Sequence, residues 1–202
     1  MKRIAILGAS GHGKVVADIA AKNGYEEIVF FDDKSDLKQC EGYPVVGDVS
    51  AVENWEQDVF VAIGDSCVRE RISETLTKLT LSMPTLIHPN AVIAASVVID
   101  PGCVAMAGAV INPYCHIGRG TIINTSSSVD HDCTVGSYCH IAVGSHVCGT
   151  VSIGDRVWVG AGAVISNNLS ICDDVTIGAG AVVIHDINEP GTYVGNPARR
   201  IA

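Results

Sequence analysis

Long apolar segments are missing from this sequence. It contains no run of 18 apolar residues, so no segment has the length that a transmembrane helix requires. The apolar stretch 4–7 is too short for the core of a signal peptide, and glycines rather than a cleavage site follow it. The sequence therefore predicts a cytoplasmic protein without a membrane partner.

Positive charge is also scarce. The chain contains 13 Lys and Arg against 22 Asp and Glu, which gives a formal net charge of −9. Because nucleic-acid binding depends on clustered Lys and Arg, this balance argues against a nucleic-acid partner. An anionic small molecule would have to be bound by backbone N–H groups or by a local concentration of positive charge. A hydrophobic fraction of 48% with 17% charged residues is otherwise typical of a globular protein.

A repeat of six residues occupies the second half of the chain. Every sixth residue from Ile87 to Val183 is Ile or Val at sixteen of seventeen positions, the exception being Ala105, although only 48 of the 202 residues are Ile or Val. Two positions before these residues lies a second set that is small or β-branched. It includes Ala91, Val97, Cys103, Ala109, Cys115, Thr121, Ser127, Cys133, Cys139, Ser145, Val151, Val157 and Ala163. The repeat has no insertion, so it offers no long loop from which an active site could be built.

This period predicts a parallel β-helix in which each hexad forms one short strand and one corner. The repeated Ile or Val and the residue two positions before it then both point inward. Three hexads close one triangular coil, so residues 18 apart stack at a spacing of about 4.8 Å. The segment from about Ile87 onward resembles the left-handed β-helix of the hexapeptide acyltransferases, and this resemblance supplies the handedness.

The cysteines fit the inside of this β-helix. Of the eight in the chain, Cys103, Cys115, Cys133 and Cys139 fall on inward positions, where a free Cys acts as a small hydrophobic residue. We therefore expect a reduced core. Cys115 and Cys133 are 18 apart and should stack, but a zinc site would need further sulfur or nitrogen ligands. No metal is expected.

The first 84 residues alternate between apolar strands and helical patterns. They predict half of a doubly wound, Rossmann-like sheet whose ligand lies at the carboxyl ends of the strands. The predicted elements are a strand at 2–7, a glycine turn at 8–13, a helix at 14–23, a strand at 27–31, a strand at 58–63 and a helix to about 78. Pro84 and the residues to Pro89 break the helical pattern, which places the domains at 1–84 and 85–202.

The glycine turn is a candidate phosphate site. Its spacing is G-x-x-G-x-G rather than the dinucleotide fingerprint, and it opens a helix whose amino terminus offers backbone N–H groups and a positive dipole. Asp32 and Asp33 follow the second strand and could meet a ribose or a uracil. Gly64 follows the third strand. The competing interpretation is that the glycines merely turn the chain.

A histidine between two aspartates is the candidate catalytic group. His131 follows the inward Val129 by two positions and therefore lies on an outward corner, where an adjoining carboxylate could make it a general base. Otherwise it is a solvated surface histidine. Gly149 lies one coil later and could leave bare backbone for a ligand or an N–H for an oxyanion. His140 lies half a coil away and can meet His131 only across neighbouring prisms, which suggests a cyclic oligomer.

Motifs along the whole chain resemble those of the bacterial nucleotide-sugar acetyltransferases. The greatest similarity is to the UDP-amino-sugar N-acetyltransferases of bacillosamine biosynthesis, with the sialic acid O-acetyltransferases as relatives. In chain order the motifs are Gly8-Ala-Ser-Gly-His-Gly-Lys14, Phe31-Asp-Asp33, Ala62-Ile-Gly64, Asn124-Thr125, Val129-Asp-His-Asp-Cys133, His140-Ile141 and Val194-Gly-Asn-Pro-Ala-Arg199.

The resemblance implies a homotrimer that transfers acetyl from acetyl-CoA to the amine of a UDP-linked 4-amino-4,6-dideoxy sugar in a ternary complex. It implies that His131 is the base and that Asp132 raises its basicity, although the family has a longer Glu at that position. The small amino-terminal domain would hold the nucleotide sugar, with contacts from Ser10, Gly11, His12, Asp32, Asp33, Gly64 and Asn124. Acetyl-CoA would lie in the groove between adjacent β-helices, lined by His140, Gly149, Ala161 and Ala179.

Two other functions remain open from the sequence. An O-acetyltransferase acting on sialic acid or another sugar would use the same residues with a different acceptor pocket. A nicotinamide oxidoreductase or a nucleotide-sensing module would explain only the first 85 residues, and the second mononucleotide half that dinucleotide binding needs is missing.

Overall fold

A computed structural model describes residues 1–34 and 36–201, and the chain divides between Pro89 and Asn90 into two compact units. The domain boundary that the sequence predicts, after residue 84, lies five residues before this division. Within the described residues, no helix is both long enough and apolar enough to cross a membrane.

The first unit contains a five-stranded sheet. Its strands are β1 (Arg3–Leu7), β2 (Glu27–Phe31), β3 (Gln39–Cys40), β4 (Tyr43–Gly47) and β5 (Asp58–Val61), and its helices are α1 (Gly11–Lys22), α2 (Ser66–Lys78) and a 3₁₀ helix at Val49–Asn54. The strand order is β3-β4-β2-β1-β5, with β1, β2, β4 and β5 parallel and β3 antiparallel to β4. The three predicted parallel strands and both predicted helices are present. Helix α1 begins inside the glycine turn, three residues earlier than expected.

The hairpin of β3 and β4 was not predicted from the sequence. These strands are joined at Glu41 and Gly42, whose φ angles are 50° and 80°. Two consecutive positive φ values are typical of the type I′ turn, whose usual sequences are Asn-Gly and Asp-Gly. Glu-Gly is a weaker form of that signal.

Sixteen short strands from 92 to 183 form the β-helix that the six-residue period predicts. In chain order after the two-residue strand β6 (Leu86–Ile87), they are β7 (Val92–Ile93), β8 (Val98–Ile99), β9 (Val104–Ala105), β10 (Val110–Ile111), β11 (His116–Ile117), β12 (Ile122–Ile123), β13 (Ser128–Val129), β14 (Thr134–Val135), β15 (His140–Ile141), β16 (His146–Val147), β17 (Ser152–Ile153), β18 (Trp158–Val159), β19 (Val164–Ile165), β20 (Ser170–Ile171), β21 (Val175–Ile177) and β22 (Val182–Val183). The chain then forms β23 (Gly191–Val194) and β24 (Arg199–Arg200).

Every third strand pairs in parallel, which confirms the 18-residue coil. Val110 lies opposite Ser128, and Ser128 lies opposite His146. The three faces are a six-stranded sheet from β7 to β22, a five-stranded sheet from β8 to β20, and a sheet that carries β9, β12, β15, β18 and β21. We call them the six-stranded, the five-stranded and the long sheet.

The inward side chains are those that the repeat predicts. From Ile111 to Val183 the repeated Ile and Val residues are at most 3% exposed, and the cysteines at 103, 115, 133 and 139 are at most 2% exposed. Ile87, Ile93 and Ile99 are less buried because no coil stacks on the outer side of the first one. Ile87 is 37% exposed, so the repeat is well buried only from the second coil onward.

Inward thiols and hydroxyls donate hydrogen bonds to backbone carbonyls. Ser127 and Ser145 donate to the carbonyl three residues earlier, each at 2.7 Å. Thr121 and the four inward cysteines donate to the carbonyl 15 residues further on, in the next coil. These bonds are Cys103 to Gly118 (3.1 Å), Cys115 to Asp130 (2.9 Å), Thr121 to Gly136 (2.8 Å), Cys133 to Cys148 (3.2 Å) and Cys139 to Gly154 (3.0 Å). All eight cysteines are free thiols in the structure.

From 102 to 180, each corner contains one residue with positive φ. These residues follow one another at steps of six, with φ between 56° and 76°. They are Gly102, Gly108, Tyr114, Gly120, Ser126, Asp132, Tyr138, Gly144, Thr150, Arg156, Gly162, Asn168, Asp174 and Gly180. The left-handed region costs a non-glycine residue about 1–2 kcal/mol, and Asn and Asp tolerate it best. Asp132 beside the candidate histidine therefore lies at a corner position that suits an aspartate.

Candidate active site

The backbone of the His131 corner is held by the carboxylate before it. Asp130 Oδ1 accepts the backbone N–H of His131 at 2.9 Å and the side-chain amide of Asn112, one coil earlier, at 2.7 Å. These two hydrogen bonds lower the pKa of Asp130. Asp130 therefore holds the backbone of this corner, and the imidazole ring forms its hydrogen bond with Asp132.

Asp132 reaches His131 despite its short side chain. His131 Nδ1 and Asp132 Oδ2 are 2.8 Å apart, which assigns the proton of the neutral ring to Nδ1 and leaves Nε2 as the proton acceptor. The hydrogen bond with Asp132 is the main cause that raises the pKa of His131, followed by the charge of Asp130. Both side chains of the pair are 55% exposed. The geometry is that of an oriented, solvent-accessible general base.

Gly149 lies directly against the imidazole. A Cβ built on it would come within 2.7 Å of both His131 Cε1 and His131 Nε2. The stacking of residues 131 and 149 follows the 18-residue coil, but the space over the glycine is filled by the histidine ring itself. Glycine at this position allows the imidazole to lie with Nε2 next to the backbone of the following coil.

Asn124 and His140 form a second group on the long sheet. Asn124 Nδ2 and His140 Nε2 are 3.0 Å apart, and the His140 ring packs on Trp158 with their centroids 4.2 Å apart. His140 is only 8% exposed, whereas Trp158 is 38% exposed. His140 is buried because its strand neighbour Trp158 and the amide of Asn124 enclose its ring.

Ala161 and Ala179 stack on the edge between the long sheet and the six-stranded sheet. The N–H of Gly180 donates to the Ala161 carbonyl at 2.9 Å. Both alanines are exposed, and a Cβ built on the neighbouring Gly162 or Gly180 would meet no atom within 4 Å. Small side chains thus line an open strip along this edge.

The predicted phosphate turn combines structural glycines with an open helix start. Gly8 has a φ of 104°, and a Cβ on Gly13 would lie 2.1 Å from the Gly8 carbonyl oxygen, so both glycines are required by the fold. Gly11 has open space around it. Ser10 is the N-cap residue of α1, yet its side chain makes no capping hydrogen bond. Ser10, which is exposed, and Gly11 therefore form the part of the turn that is available to a ligand.

Asp32 and Asp33 make hydrogen bonds within the first unit. Asp32 accepts the N–H of Ala9 at 2.7 Å through Oδ2 and that of Lys34 at 2.9 Å through Oδ1. Asp33 accepts the N–H of Val49 at 3.0 Å. Asp32 thus ties the end of β2 to the glycine turn. Both residues thus make structural hydrogen bonds in addition to the ligand contact that the sequence predicts, and both line a pocket of about 300 Å³.

The buried contacts of Arg69 were not predicted from the sequence. It is 1% exposed, and its guanidinium donates to the carbonyl oxygens of Ile63 and Gly64 at 2.8 and 2.7 Å. Burial and, to a lesser extent, the Arg69 charge lower the pKa of His12 to about 4. His12 is therefore neutral near pH 7. In the sequence, Arg69 is a charged residue within a helical pattern, and that pattern does not predict its contacts with the carbonyls of Ile63 and Gly64 or its effect on His12.

The predicted site residues lie in separate groups in the structure. His131, Asp132 and Gly149 form one group, Asn124 and His140 a second, and Ala161 and Ala179 a third. The residues Ser10, Gly11, His12, Asp32, Asp33 and Gly64 belong to the first unit. Among the described residues, no cluster of three or more His, Cys, Asp or Glu has the arrangement of a metal site.

Two family models match the chain. Residues 3–76 match the PglD N-terminal domain, and residues 150–185 match the bacterial transferase hexapeptide repeat. The chain is 36% identical over 106 residues to the UDP-N-acetylbacillosamine N-acetyltransferase of Bacillus subtilis (strain 168), a match that spans 48% of each protein. It is 31% identical over 93 residues to the uncharacterized protein L142 of Acanthamoeba polyphaga mimivirus, of which it covers 19%. The chain therefore spans less than half the length of these curated relatives.

Solved structures match over the whole chain. The acetyltransferase domain of PglB from Neisseria gonorrhoeae FA1090 is 39% identical with a TM-score of 0.96, and the match covers 100% of both chains. The same domain has been solved with acetyl coenzyme A. Perosamine N-acetyltransferase from Caulobacter crescentus, in complex with CoA and GDP-perosamine, is 34% identical with a TM-score of 0.93 over 100% of this chain and 98% of that one. These similarities confirm the α/β half-domain followed by a left-handed β-helix.

Proposed function

This chain belongs to the hexapeptide-repeat nucleotide-sugar acetyltransferases, and we propose that it transfers acetyl from acetyl-CoA to the amine of a UDP-linked 4-amino-4,6-dideoxy sugar. The observation that carries the proposal is the pair of His131 and Asp132, 2.8 Å apart on an exposed corner with Gly149 behind the ring. The similar Bacillus protein is named for a UDP sugar, whereas the Caulobacter structure contains a GDP sugar. Both sugars are therefore acceptors to test.

His131 is the general base of the proposed reaction. The sugar amine attacks the thioester carbonyl carbon, and His131 Nε2 takes the proton that the nitrogen loses as the bond forms. The backbone N–H of Gly149 stabilises the negative charge on the carbonyl oxygen. The carbon–sulfur bond then breaks, and the proton passes from His131 to the departing sulfur, which gives the N-acetyl sugar and CoA. Asp132 holds the ring and stabilises its protonated form.

Direct transfer is favoured over an acetyl-cysteine intermediate. Cys133 is the cysteine nearest to His131 in sequence, but it is 1% exposed and donates to the Cys148 carbonyl. The hydrogen bond with Cys115 and burial both raise the pKa of Cys133. A covalent route would need an exposed thiolate. Both substrates therefore have to be bound together.

Ligand contacts are proposed for the remaining groups. His140, Gly149, Ala161 and Ala179 line the acetyl-CoA groove of a homotrimer whose sites lie between subunits. The nucleotide sugar is held by Ser10, Gly11, His12, Asp32, Asp33, Gly64 and Asn124. The cytoplasmic location stays a prediction from the sequence.

The test is release of the CoA thiol in the presence of candidate acceptors. We expect activity with a UDP-linked 4-amino sugar, and GDP-perosamine and sialic acid are run beside it. The variant His131→Ala should lose about 10²- to 10⁴-fold in kcat while still binding acetyl-CoA. Turnover with sialic acid alone would show an O-acetyltransferase, and wild-type turnover by His131→Ala would place the base elsewhere, with His140 the next candidate.

A further inference from the structure

An exposed tyrosine lies next to the corner that carries the proposed base. Tyr114 is 73% exposed and occupies the corner position one coil before Asp132, about 4.8 Å from it along the prism. Two hydrogen bonds join the two corners. The N–H of Asp132 donates to the carbonyl of Pro113 at 3.0 Å, and the amide of Asn112 donates to Asp130 at 2.7 Å. The tyrosine corner is therefore the immediate neighbour of the histidine corner.

The backbone of Tyr114 is held in a conformation that does not favour tyrosine. Its φ angle is 62°, in the left-handed region that bulky side chains rarely adopt, and its N–H donates to Ser96 Oγ at 3.0 Å. Tyr138 has a φ of 57°, but it is 6% exposed, and its ring lies within 2.6 Å of where a Cβ on Gly120 would be. Burial thus offsets the strain at Tyr138, whereas Tyr114 presents its ring to solvent. Strain without compensating burial is typical of a functional position.

The order of residues along the prism separates the two substrates. Tyr114 lies one coil before His131, whereas Gly149 lies one coil after it, and Ala161 and Ala179 lie further on in the same direction. These three later residues are proposed to contact acetyl-CoA, so the thioester approaches the base from the later coils. The earlier side of the base, where Tyr114 lies, is left for the acceptor.

We propose that Tyr114 forms one wall of the acceptor-sugar site and stacks its ring on the apolar face of the sugar that receives the acetyl group. The inference rests on the proposed function and names a specificity-determining residue of that site. An aromatic ring attracts sugar C–H bonds, because the ring face is negatively polarised and the C–H hydrogens are positively polarised. A 4-amino-4,6-dideoxy sugar favours this contact, since it has a methyl group in place of the hydroxymethyl group at C5.

The first experiment measures binding by calorimetry with two ligands, the UDP-linked 4-amino-4,6-dideoxy sugar and UDP alone. Tyr114→Ala should weaken the sugar nucleotide about 10-fold and leave the affinity for UDP unchanged, because the ring contacts the sugar and not the nucleotide. Tyr114→Phe keeps the ring and should stay within about 2-fold of the wild type for both ligands. An unchanged affinity for the sugar nucleotide in Tyr114→Ala, or an equal loss for both ligands, would overturn the proposal. A loss in Tyr114→Phe as large as in Tyr114→Ala would assign the contact to the hydroxyl and overturn the stacking.

The second experiment separates a ligand contact from a structural role. Glycine adopts positive φ freely, so Tyr114→Gly should raise the midpoint of thermal unfolding by about 2–4 °C. The same variant should raise KM for the sugar nucleotide about 10-fold and leave KM for acetyl-CoA unchanged. In the matched control Tyr138→Ala, the midpoint should fall because a buried ring is lost, and the affinity for the sugar nucleotide should not change. A lower midpoint in Tyr114→Gly, or a raised KM for acetyl-CoA, would show that the ring serves the fold or the other substrate.

Failure of this inference and failure of the proposed function give different results. If the wild type releases CoA thiol with the UDP-linked sugar, but Tyr114→Ala keeps the wild-type KM and affinity, acetyl transfer stands and the tyrosine contact fails. If the wild type releases no thiol with any acceptor, but Tyr114→Ala weakens the sugar nucleotide and not UDP, the tyrosine contact stands and acetyl transfer fails.

Discussion

Replacing Gly149 by alanine should impair catalysis through the position of the His131 ring. The new Cβ would lie 2.7 Å from Cε1 and Nε2 of His131, whereas non-bonded carbon atoms are normally about 3.5 Å or more apart. The ring must therefore withdraw by about 0.8 Å or swing away from the backbone of the following coil. Either movement disturbs the 2.8 Å contact with Asp132 and the orientation of the Nε2 lone pair.

The expected loss follows from this displacement. A misplacement of about 1 Å can cost about 100-fold in rate, so we expect kcat of Gly149→Ala to fall by about that factor. Gly149 is not among the positive-φ residues, and His131 is 55% exposed, so the ring can move without a core rearrangement. The midpoint of thermal unfolding should stay within about 4 °C of the wild type.

A double-mutant cycle separates this mechanism from its alternative. In a His131→Ala background the clashing ring is gone, so adding Gly149→Ala should cause no further loss in kcat. Alanine keeps the backbone N–H, so the proposed oxyanion contact stays in place in both variants. The assay is the initial rate of thiol release at saturating substrates. Wild-type kcat in Gly149→Ala would contradict the prediction that the ring is displaced. A full additional loss in the double variant would mean that the backbone of residue 149 contacts a ligand directly.

Three further predictions concern other parts of the molecule. The hydrogen bond with Asp132 raises the pKa of His131, and a base must be unprotonated to act, so wild-type kcat/KM should fall as the pH drops through this raised pKa. The variant Asp132→Asn should show this fall at lower pH and a smaller kcat, and an unchanged pH profile would contradict the prediction. Thr150 is β-branched at a φ of 60°, so Thr150→Asn should stabilise the fold by about 1 kcal/mol in chemical denaturation, and no gain would mean that this corner is unstrained. Arg69→Met removes two buried hydrogen bonds from a charged donor and should cost about 3 kcal/mol of unfolding free energy. In the folded fraction of that variant, NMR titration should show the His12 pKa above about 4, because burial still lowers it but the Arg69 charge does not.

The six-residue period is sufficient to predict most of the second unit. Inward positions are set by local alternation along each strand, and the repeat stacks residues 18 apart without any long loop. This is why the stacking of His131 on Gly149 and of Ala161 on Ala179 could be predicted from residue numbers. The period does not predict how far its first residues are buried, since Ile87 fits the period but has no coil on its outer side.

Contacts between side chains that the repeat does not relate could not be predicted from the sequence. The contact between Asp132 and His131 depends on a corner aspartate with positive φ, which composition and spacing do not reveal. Asp32 is a predicted ligand residue, and only the structure shows that it also accepts the N–H of Ala9, which lies 23 residues earlier in the chain. Sequence patterns report periodicity and local backbone preference, whereas these hydrogen bonds depend on how separate strands and helices pack. The fold of this protein is therefore largely encoded in its period, and the detailed chemistry of its sites is decided by long-range contacts.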